Sequence, residues 1–153
     1  MTVYTGTAPG VLAQITADVH QLTRAIHLAH RGRIITQACL LDQLRASIGP
    51  AGRCPMEGPS RRRVAESRPP VAAGPMEALS TLYVELAGWH VRLWLASPPY
   101  GVDWQKASLR ALARYAPELA PSVAEWLSVE VHDWWASAAR ESGWNLAELL
   151  RLR

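Results

Sequence analysis

The side chains whose types and spacing offer chemistry are few, and the first set is a histidine-aspartate doublet. His132 and Asp133 are adjacent, and His90 lies upstream on another predicted helix. A helical metal-dependent hydrolase needs a histidine, such a doublet and a further aspartate to complete its metal ligands. No aspartate follows Asp133 in this chain. The ligand set is therefore incomplete, and we interpret His132 and Asp133 as solvent-side residues of an amphipathic helix.

A second set of candidate ligands comprises His27, His30, Cys39 and Cys54. Their spacing matches no common zinc finger, and two cysteines are too few for a disulfide framework. The chain also has no nucleophile elbow, no phosphate-binding P-loop and no dinucleotide-binding glycine motif. The sequence therefore predicts a protein that is not an enzyme and that carries no cofactor and no metal.

Positive charge is concentrated in one proline- and glycine-rich stretch, residues 49–74, which contains Arg61, Arg62, Arg63 and Arg68. Residues 1–75 hold nine arginines against four acids, whereas residues 76–153 hold seven basic residues against nine acids. Loops longer than about 15 residues are usually functional or disordered. We expect these four arginines to contact a partner, either an acidic protein surface or nucleic acid, although a solvated loop is the alternative.

The aromatic residues suggest a second kind of contact. The chain has seven tryptophans and no phenylalanine, and tryptophan is rarely buried completely. Trp126 and Trp135 border one apolar stripe from opposite sides, so both cannot face its centre. We expect at least one of the two to stay accessible and to bind a protein partner.

The elements that must position these residues are predicted to be helical. Apolar residues recur at helical spacing over 9–31 and 35–47, and the irregular stretch 49–74 follows. A helix from Pro75 to about Ala96 is apolar over most of its circumference, which predicts a central, enclosed helix. We find no strand pattern, so the sequence predicts an all-α, single-domain bundle of five or six helices spanning residues 1–153.

The second half of the chain carries clear helix-boundary signals. Asp103 can cap a helix after a turn, Ser122 and Glu125 form a capping box, and Gly143 can end that helix. A last helix begins near Asn145 and stops abruptly at Arg153, which suggests that the chain continues beyond this residue. The core is expected to bring together Leu86, Leu93, Leu127 and Trp134.

Two further properties follow from composition and charge. No apolar run is long enough to cross a bilayer and no signal peptide is present, so we expect a soluble, cytoplasmic protein with no membrane partner.

The helix pair around residue 120 resembles a DNA-reading motif in outline only. Its second helix carries Glu125, Glu130, Asp133 and Glu141 against Arg140, and like-charge repulsion opposes insertion into a DNA groove.

The segments "HLAHRGRIITQACLLDQLRASIG", "ESRPP" and "MEALSTLYVELAGW", within residues 20–95, resemble small helical accessory proteins of actinobacterial phages. They also resemble, more faintly, the recombination directionality factors that bind a serine integrase and switch it from integration to excision. This resemblance implies a regulatory accessory protein that binds a larger DNA-acting protein, such as a serine integrase, with weak or indirect nucleic-acid contact. It implies no catalytic residue. The alternative is a direct nucleic-acid-binding protein that uses the basic N-terminal half.

Overall fold

The computed structural model describes residues 7–48, 73–99 and 101–153. Arg61, Arg62, Arg63 and Arg68 lie outside these residues, as does Cys54. The predicted irregular stretch 49–74 also lies outside them, apart from its last two positions, which belong to a helix.

The described residues are mostly helical, as predicted. They form α1 (Pro9–Thr23), β1 (Ile26–His30), β2 (Arg33–Gln37), α2 (Leu40–Ile48), α3 (Ala73–Leu93), α4 (Trp104–Tyr115), a 3-10 turn (Ala116–Glu118), α5 (Pro121–Glu141) and α6 (Leu146–Arg151). None of these helices is long and apolar enough to span a membrane.

Among the residues that the structure describes, the departure from an all-helical fold is an antiparallel β-hairpin, where the sequence predicted helix across 9–31 and again from 35. Helix α1 instead ends at Thr23, and Arg24 is extended. Strands β1 and β2 pair from Ile26 with Gln37 to His30 with Arg33. The two-residue turn has positive φ at both positions, 49° at Arg31 and 76° at Gly32. Such turns match the twist of paired strands, and glycine at the second position favours them. The prediction was wrong because Ile26 and Ala29, three residues apart, continue the helical spacing of α1, and a strand of five residues is too short for periodicity to distinguish it from a helix.

Of the boundary signals predicted in the second half of the chain, Asp103 and Gly143 are confirmed and the capping box at Ser122 is not. Asp103 caps α4 by accepting a hydrogen bond from the Lys106 backbone N–H at 3.2 Å. Gly143 follows α5 with a φ of 86°. The predicted capping box at Ser122 does not form, because Pro121 occupies the first turn of α5 and moves the cap to Ala120.

The core is built around α5, which contacts α1, α2, α3 and α6. Leu86, Leu127 and Trp134 are buried together as predicted, whereas Leu93 packs against the margin of this core and is only partly buried. The helix predicted to be central and enclosed, α3, is a peripheral one. It buries one side, and the opposite side exposes large apolar residues.

Candidate functional site

Helices α3 and α5 run antiparallel, and their contacts mark out one continuous face. At one end Gly74 lies against the Glu141 carboxylate. In the middle the Trp134 Nε1–H donates to Glu85 Oε2 at 3.0 Å. At a rise of 1.5 Å per residue, the face extends over about 25 Å. We call this surface the α3–α5 face.

The other end of the α3–α5 face holds a stack of two tryptophans and an arginine. The rings of Trp89 and Trp126 lie 5.0 Å apart, centroid to centroid, and are tilted by 58°. The Arg92 guanidinium carbon lies 5.3 Å from the Trp126 ring centroid and 5.8 Å from that of Trp89. Cation–π attraction therefore holds the arginine against both rings.

The two tryptophans of this stack differ in exposure. Trp89 is buried, and its indole N–H donates to the Glu130 carboxylate, which fixes the ring. Trp126 lies above it and is 49% exposed. A large apolar ring is thus held in place at the surface, so little side-chain entropy is lost when a partner covers it. Tryptophan and arginine are the residue types most often found to dominate the energetics of protein interfaces.

Beside this stack, a 510 Å³ groove lies along the α3–α5 face. Its lining includes four carboxylates and one guanidinium, from Glu77, Glu85, Asp133, Glu141 and Arg140. The Trp134 ring and Ala78 supply its apolar lining. Excess negative charge in a concave site attracts cations and repels phosphate. The groove therefore suits a basic protein segment and not a nucleic-acid backbone.

The sequence-predicted partner-binding tryptophans are separated by the fold. Trp126 belongs to the α3–α5 face, and it is the one that remains accessible. Trp135 is buried; its Nε1–H donates to Gln21 Oε1 at 2.8 Å, and the Arg153 guanidinium carbon lies 4.7 Å from its ring centroid. A surface contact by Trp135 would require α5 to leave the core. Trp135 is therefore part of the core and not of a partner-binding surface. The four predicted partner-binding arginines, Arg61, Arg62, Arg63 and Arg68, lie outside the described residues.

The histidines considered as metal ligands are engaged in separate places. The buried His90 ring has Nε2 3.0 Å from the Ser108 carbonyl oxygen. His132 Nδ1 lies 3.1 Å from the fully buried Asp18 carboxylate, and His27 Nδ1 lies 3.1 Å from Thr36 Oγ1. Across residues 7–48, 73–99 and 101–153, no three histidine, cysteine or acidic side chains are grouped so that they could hold a metal ion.

Cys39 and the ion pairs near it belong to the scaffold. Burial raises the pKa of the Cys39 thiol, which disfavours the reactive thiolate. Arg45 binds Asp103 with two parallel hydrogen bonds of 2.6 and 3.0 Å, and these lower the pKa of that carboxyl. Lys106 Nζ binds Asp42 Oδ2 at 2.6 Å. This network joins α2 to α4 and lies outside the α3–α5 face.

The hairpin forms a second charged surface. Arg31 and Arg33 lie at its tip beside His30, and all three are exposed. The sequence from Val19 to Leu41 contains no aspartate or glutamate. The basic character that the sequence assigned to the N-terminal half is therefore found, among the described residues, on a projecting β-ribbon.

Sequence reasoning missed two residues of importance here. Arg92 was not singled out, although its spacing of three from Trp89 places the two on one side of a helix. Asp18 was not singled out, because a single acid beside an apolar stripe gives no sign that it will be buried.

No protein-family model, curated protein or solved structure matches this chain.

Proposed function

We propose that this protein is a non-enzymatic regulatory accessory protein that binds a larger DNA-acting protein through the α3–α5 face. A serine integrase is the partner that the sequence resemblance implies, and a recombination directionality factor is the corresponding role. The observation that carries the proposal is the stack of Trp89, Arg92 and Trp126 beside the acidic groove. It combines a fixed aromatic anchor with a surface that attracts positive charge.

The chemistry of this face specifies the partner's binding segment. Proteins that act on DNA carry basic surfaces, because they must neutralise phosphates. A segment rich in lysine and arginine would complement the four carboxylates of the groove, and an apolar or arginine side chain would cover the Trp126 ring. Binding there would also compete with DNA for the same basic segment, which gives an accessory protein a direct means of regulation.

The test uses substitutions on the α3–α5 face and a matched control. Trp126→Ala removes the anchor, and we expect the Kd for the integrase or other DNA-acting partner to rise about 30-fold. Tyr115→Ala is the control, because Tyr115 is also an exposed aromatic but lies at the end of α4. Calorimetry measures both variants. Equal affinity of wild type and Trp126→Ala would refute the proposal.

A charge test separates a protein partner from DNA. The double variant Glu77→Gln/Asp133→Asn removes two carboxylates from the groove while keeping the side-chain shapes. We expect slower association and weaker binding to a basic protein partner. If the face instead contacted DNA, the same change would remove repulsion and strengthen binding. The direction of the change therefore decides between the two.

The hairpin supports one second candidate, a direct nucleic-acid-binding protein. Its exposed Arg31 and Arg33, with no acidic residue nearby in sequence, favour contact with phosphates. Two-stranded ribbons are a known way to enter a DNA groove. For this candidate, Arg31→Gln/Arg33→Gln should weaken binding to duplex DNA and reduce the salt slope by about 2. If the double variant binds duplex DNA as tightly as wild type does, the hairpin is not the DNA contact.

A further inference from the structure

Helix α3 presents an apolar stripe to solvent on the side away from the core. Successive residues of an α-helix advance by about 100°, which places six residues within a sector of about 100°. They are Met76, Ser80, Tyr83, Val84, Ala87 and Val91, and the exposed Trp94, which directly follows the last residue of α3, is counted with them. None is charged, and Val91 is 76% and Trp94 is 92% exposed. We call this surface the α3 stripe.

The α3 stripe is distinct from the α3–α5 face. Glu77, Glu85 and Arg92 lie on the neighbouring polar flank of the same helix, on the side of α5. On the other side the stripe borders α4, where the ring of Tyr83, itself a residue of the stripe, packs against Trp104 with ring centroids 5.1 Å apart and stays 51% exposed. The stripe therefore lies between α5 on one side and α4 on the other, and its exposure is greatest at Val91 and Trp94.

The last residue of the α3 stripe has an unfavourable backbone conformation. Trp94 has a φ of 55°, in the left-handed region. Its N–H bonds the Val91 carbonyl oxygen at 3.3 Å, and the next N–H, of Leu95, bonds the His90 carbonyl oxygen at 3.0 Å. This is the Schellman motif, whose left-handed position is usually glycine. A bulky residue there is disfavoured, and such outliers are found where function requires the side chain.

The residue sizes along the α3 stripe are complementary to those of a second α3 in the antiparallel direction. With Glu85 at the midpoint, Trp94 of one copy lies opposite Met76 of the other. Val91 then lies within one residue of Ser80, and Ala87 lies opposite Tyr83 and within one residue of Val84. Val91 and Tyr83 thus lie beside the smaller residues Ser80 and Ala87, and each of these pairings occurs twice. Val84 meets its own copy near the two-fold axis. This self-complementarity is what a two-fold interface requires.

We propose that the α3 stripe is the interface of a homodimer in which two α3 helices pack antiparallel. The stripe is about 27 Å long, from Met76 to Trp94. Its exposed side chains offer on the order of 700 Å², close to the roughly 800 Å² per partner of a standard interface. Exposed apolar patches of this size are rare on monomers. The absence of charge from the stripe favours an identical apolar surface over the basic partner expected at the α3–α5 face.

The dimer does not rest on the proposed function. Trp126 and the acidic groove lie on the flank of α3 that an antiparallel pair leaves open. Loss of partner binding in Trp126→Ala would therefore leave the dimer intact, and loss of the dimer would leave each binding face complete. The two proposals fail separately.

The first test measures mass in solution for the full chain by sedimentation at several concentrations. We expect wild type to dimerise and Val91→Arg, which places a charge in the stripe, to be monomeric. Trp94→Gly removes the largest ring and relieves the left-handed strain, so it should raise the dimer Kd at least 30-fold while raising the monomer Tm by about 3 °C. Trp126→Ala is the control and should dimerise like wild type.

The second test fixes the direction of packing with single cysteines in a Cys39→Ala/Cys54→Ser background. A disulfide needs Cα atoms within about 7 Å. Val84→Cys lies near the two-fold axis and should cross-link to itself, whereas two copies of Met76→Cys lie about 27 Å apart and should not. A monomeric wild type, a dimer insensitive to Val91→Arg and Trp94→Gly, or efficient cross-linking through Met76→Cys would overturn the proposal.

Discussion

Helices α3 and α5 have the same length, 21 residues, and end in the same motif, yet they have opposite relations to solvent. Helix α5 buries residues on several sides and contacts four other helices. Helix α3 buries Leu82, Leu86 and Trp89 on one side and exposes the α3 stripe on another. The number of apolar residues around a helix therefore indicates how much of its surface has to be buried. It does not reveal whether that surface is buried within the same chain or against another molecule.

The ends of the two helices sharpen this contrast. Gly143 occupies the left-handed position after α5, where its N–H bonds the Arg140 carbonyl oxygen at 3.0 Å. Trp94 occupies the equivalent position after α3. The enclosed helix ends in the residue that the backbone prefers, and the exposed helix ends in a residue that the backbone disfavours.

The largest expected difference between the two helices concerns their apolar residues. Trp134→Ala in α5 should lower the free energy of unfolding by about 3–5 kcal/mol, because it empties a buried site and removes the hydrogen bond to Glu85. Val84→Ala in α3 should change it by less than about 0.5 kcal/mol, because Val84 is exposed. Urea denaturation at dilute protein checks both. An equal loss of unfolding free energy in the two variants would contradict the contrast between a buried Trp134 and an exposed Val84.

The next effect concerns the buried charge that fastens α5 to α1. The Asp18 carboxylate is fully buried and pairs with His132 of α5 and with Arg153. Arg153→Met keeps a long apolar side chain over Trp135 but removes one of the two partners of Asp18. We expect a loss of about 2–3 kcal/mol, since the Arg153 side chain is partly exposed. The double variant Asp18→Asn/Arg153→Met should lose less than the single change, because it leaves no unpaired charge.

A reciprocal exchange at the helix ends should give a smaller effect of opposite sign. Trp94→Gly should raise the free energy of unfolding by about 1 kcal/mol, measured where the protein is monomeric. Gly143→Ala should lower it by about 1 kcal/mol; no atom lies within 4 Å of the added Cβ, so this cost is purely conformational. Calorimetric Tm values check both. A destabilised Trp94→Gly monomer would show that the ring packs on its own chain.

The smallest expected change in stability concerns the ion-pair network that joins α2 to α4. This network involves neither α3 nor α5, so its substitution is a control for both helices. Arg45, and secondarily the Lys106 backbone N–H, lower the pKa of Asp103 below its ordinary 3.8. The stability from this lowering is complete above pH 3.8 and is lost as pH falls through the folded pKa. Arg45→Met should lower stability by less than about 1 kcal/mol at neutral pH, because the pair is partly exposed. Its Tm difference from wild type should shrink below pH 3.8.

Much of the fold could be predicted from sequence because local rules determine it. Proline at the start of α1, Asp103 before α4 and Gly143 after α5 each act through backbone geometry within a few residues. The hairpin was missed because Ile26 and Ala29 fit both a helical stripe and a strand. The Arg31–Gly32 pair, followed by the three consecutive β-branched residues Ile34, Ile35 and Thr36, was the signal that distinguishes them.

The candidate site was less predictable because it depends on contacts between distant parts of the chain. The sequence correctly placed Trp126 and Trp135 on opposite borders of one stripe. Which of them is covered depends on where α1 lies, since Gln21 of α1 binds the Trp135 indole. The stack of Trp126 on Arg92 joins residues on two separate helices. Spacing within one helix carries no information about either arrangement.

The hairpin described above has a consequence for colloidal behaviour. Within the described residues its sheet has two strands, so each strand has one outer edge, and Ile34 is 77% exposed. Open edges with exposed isoleucine invite strand addition between molecules and growth into aggregates. Arg31 and Arg33 bring like charges together whenever two such ribbons approach edge to edge, and this repulsion acts as a gatekeeper. Concentrated solutions of Arg31→Gln/Arg33→Gln should therefore become turbid sooner on warming, although the Tm of the fold stays the same.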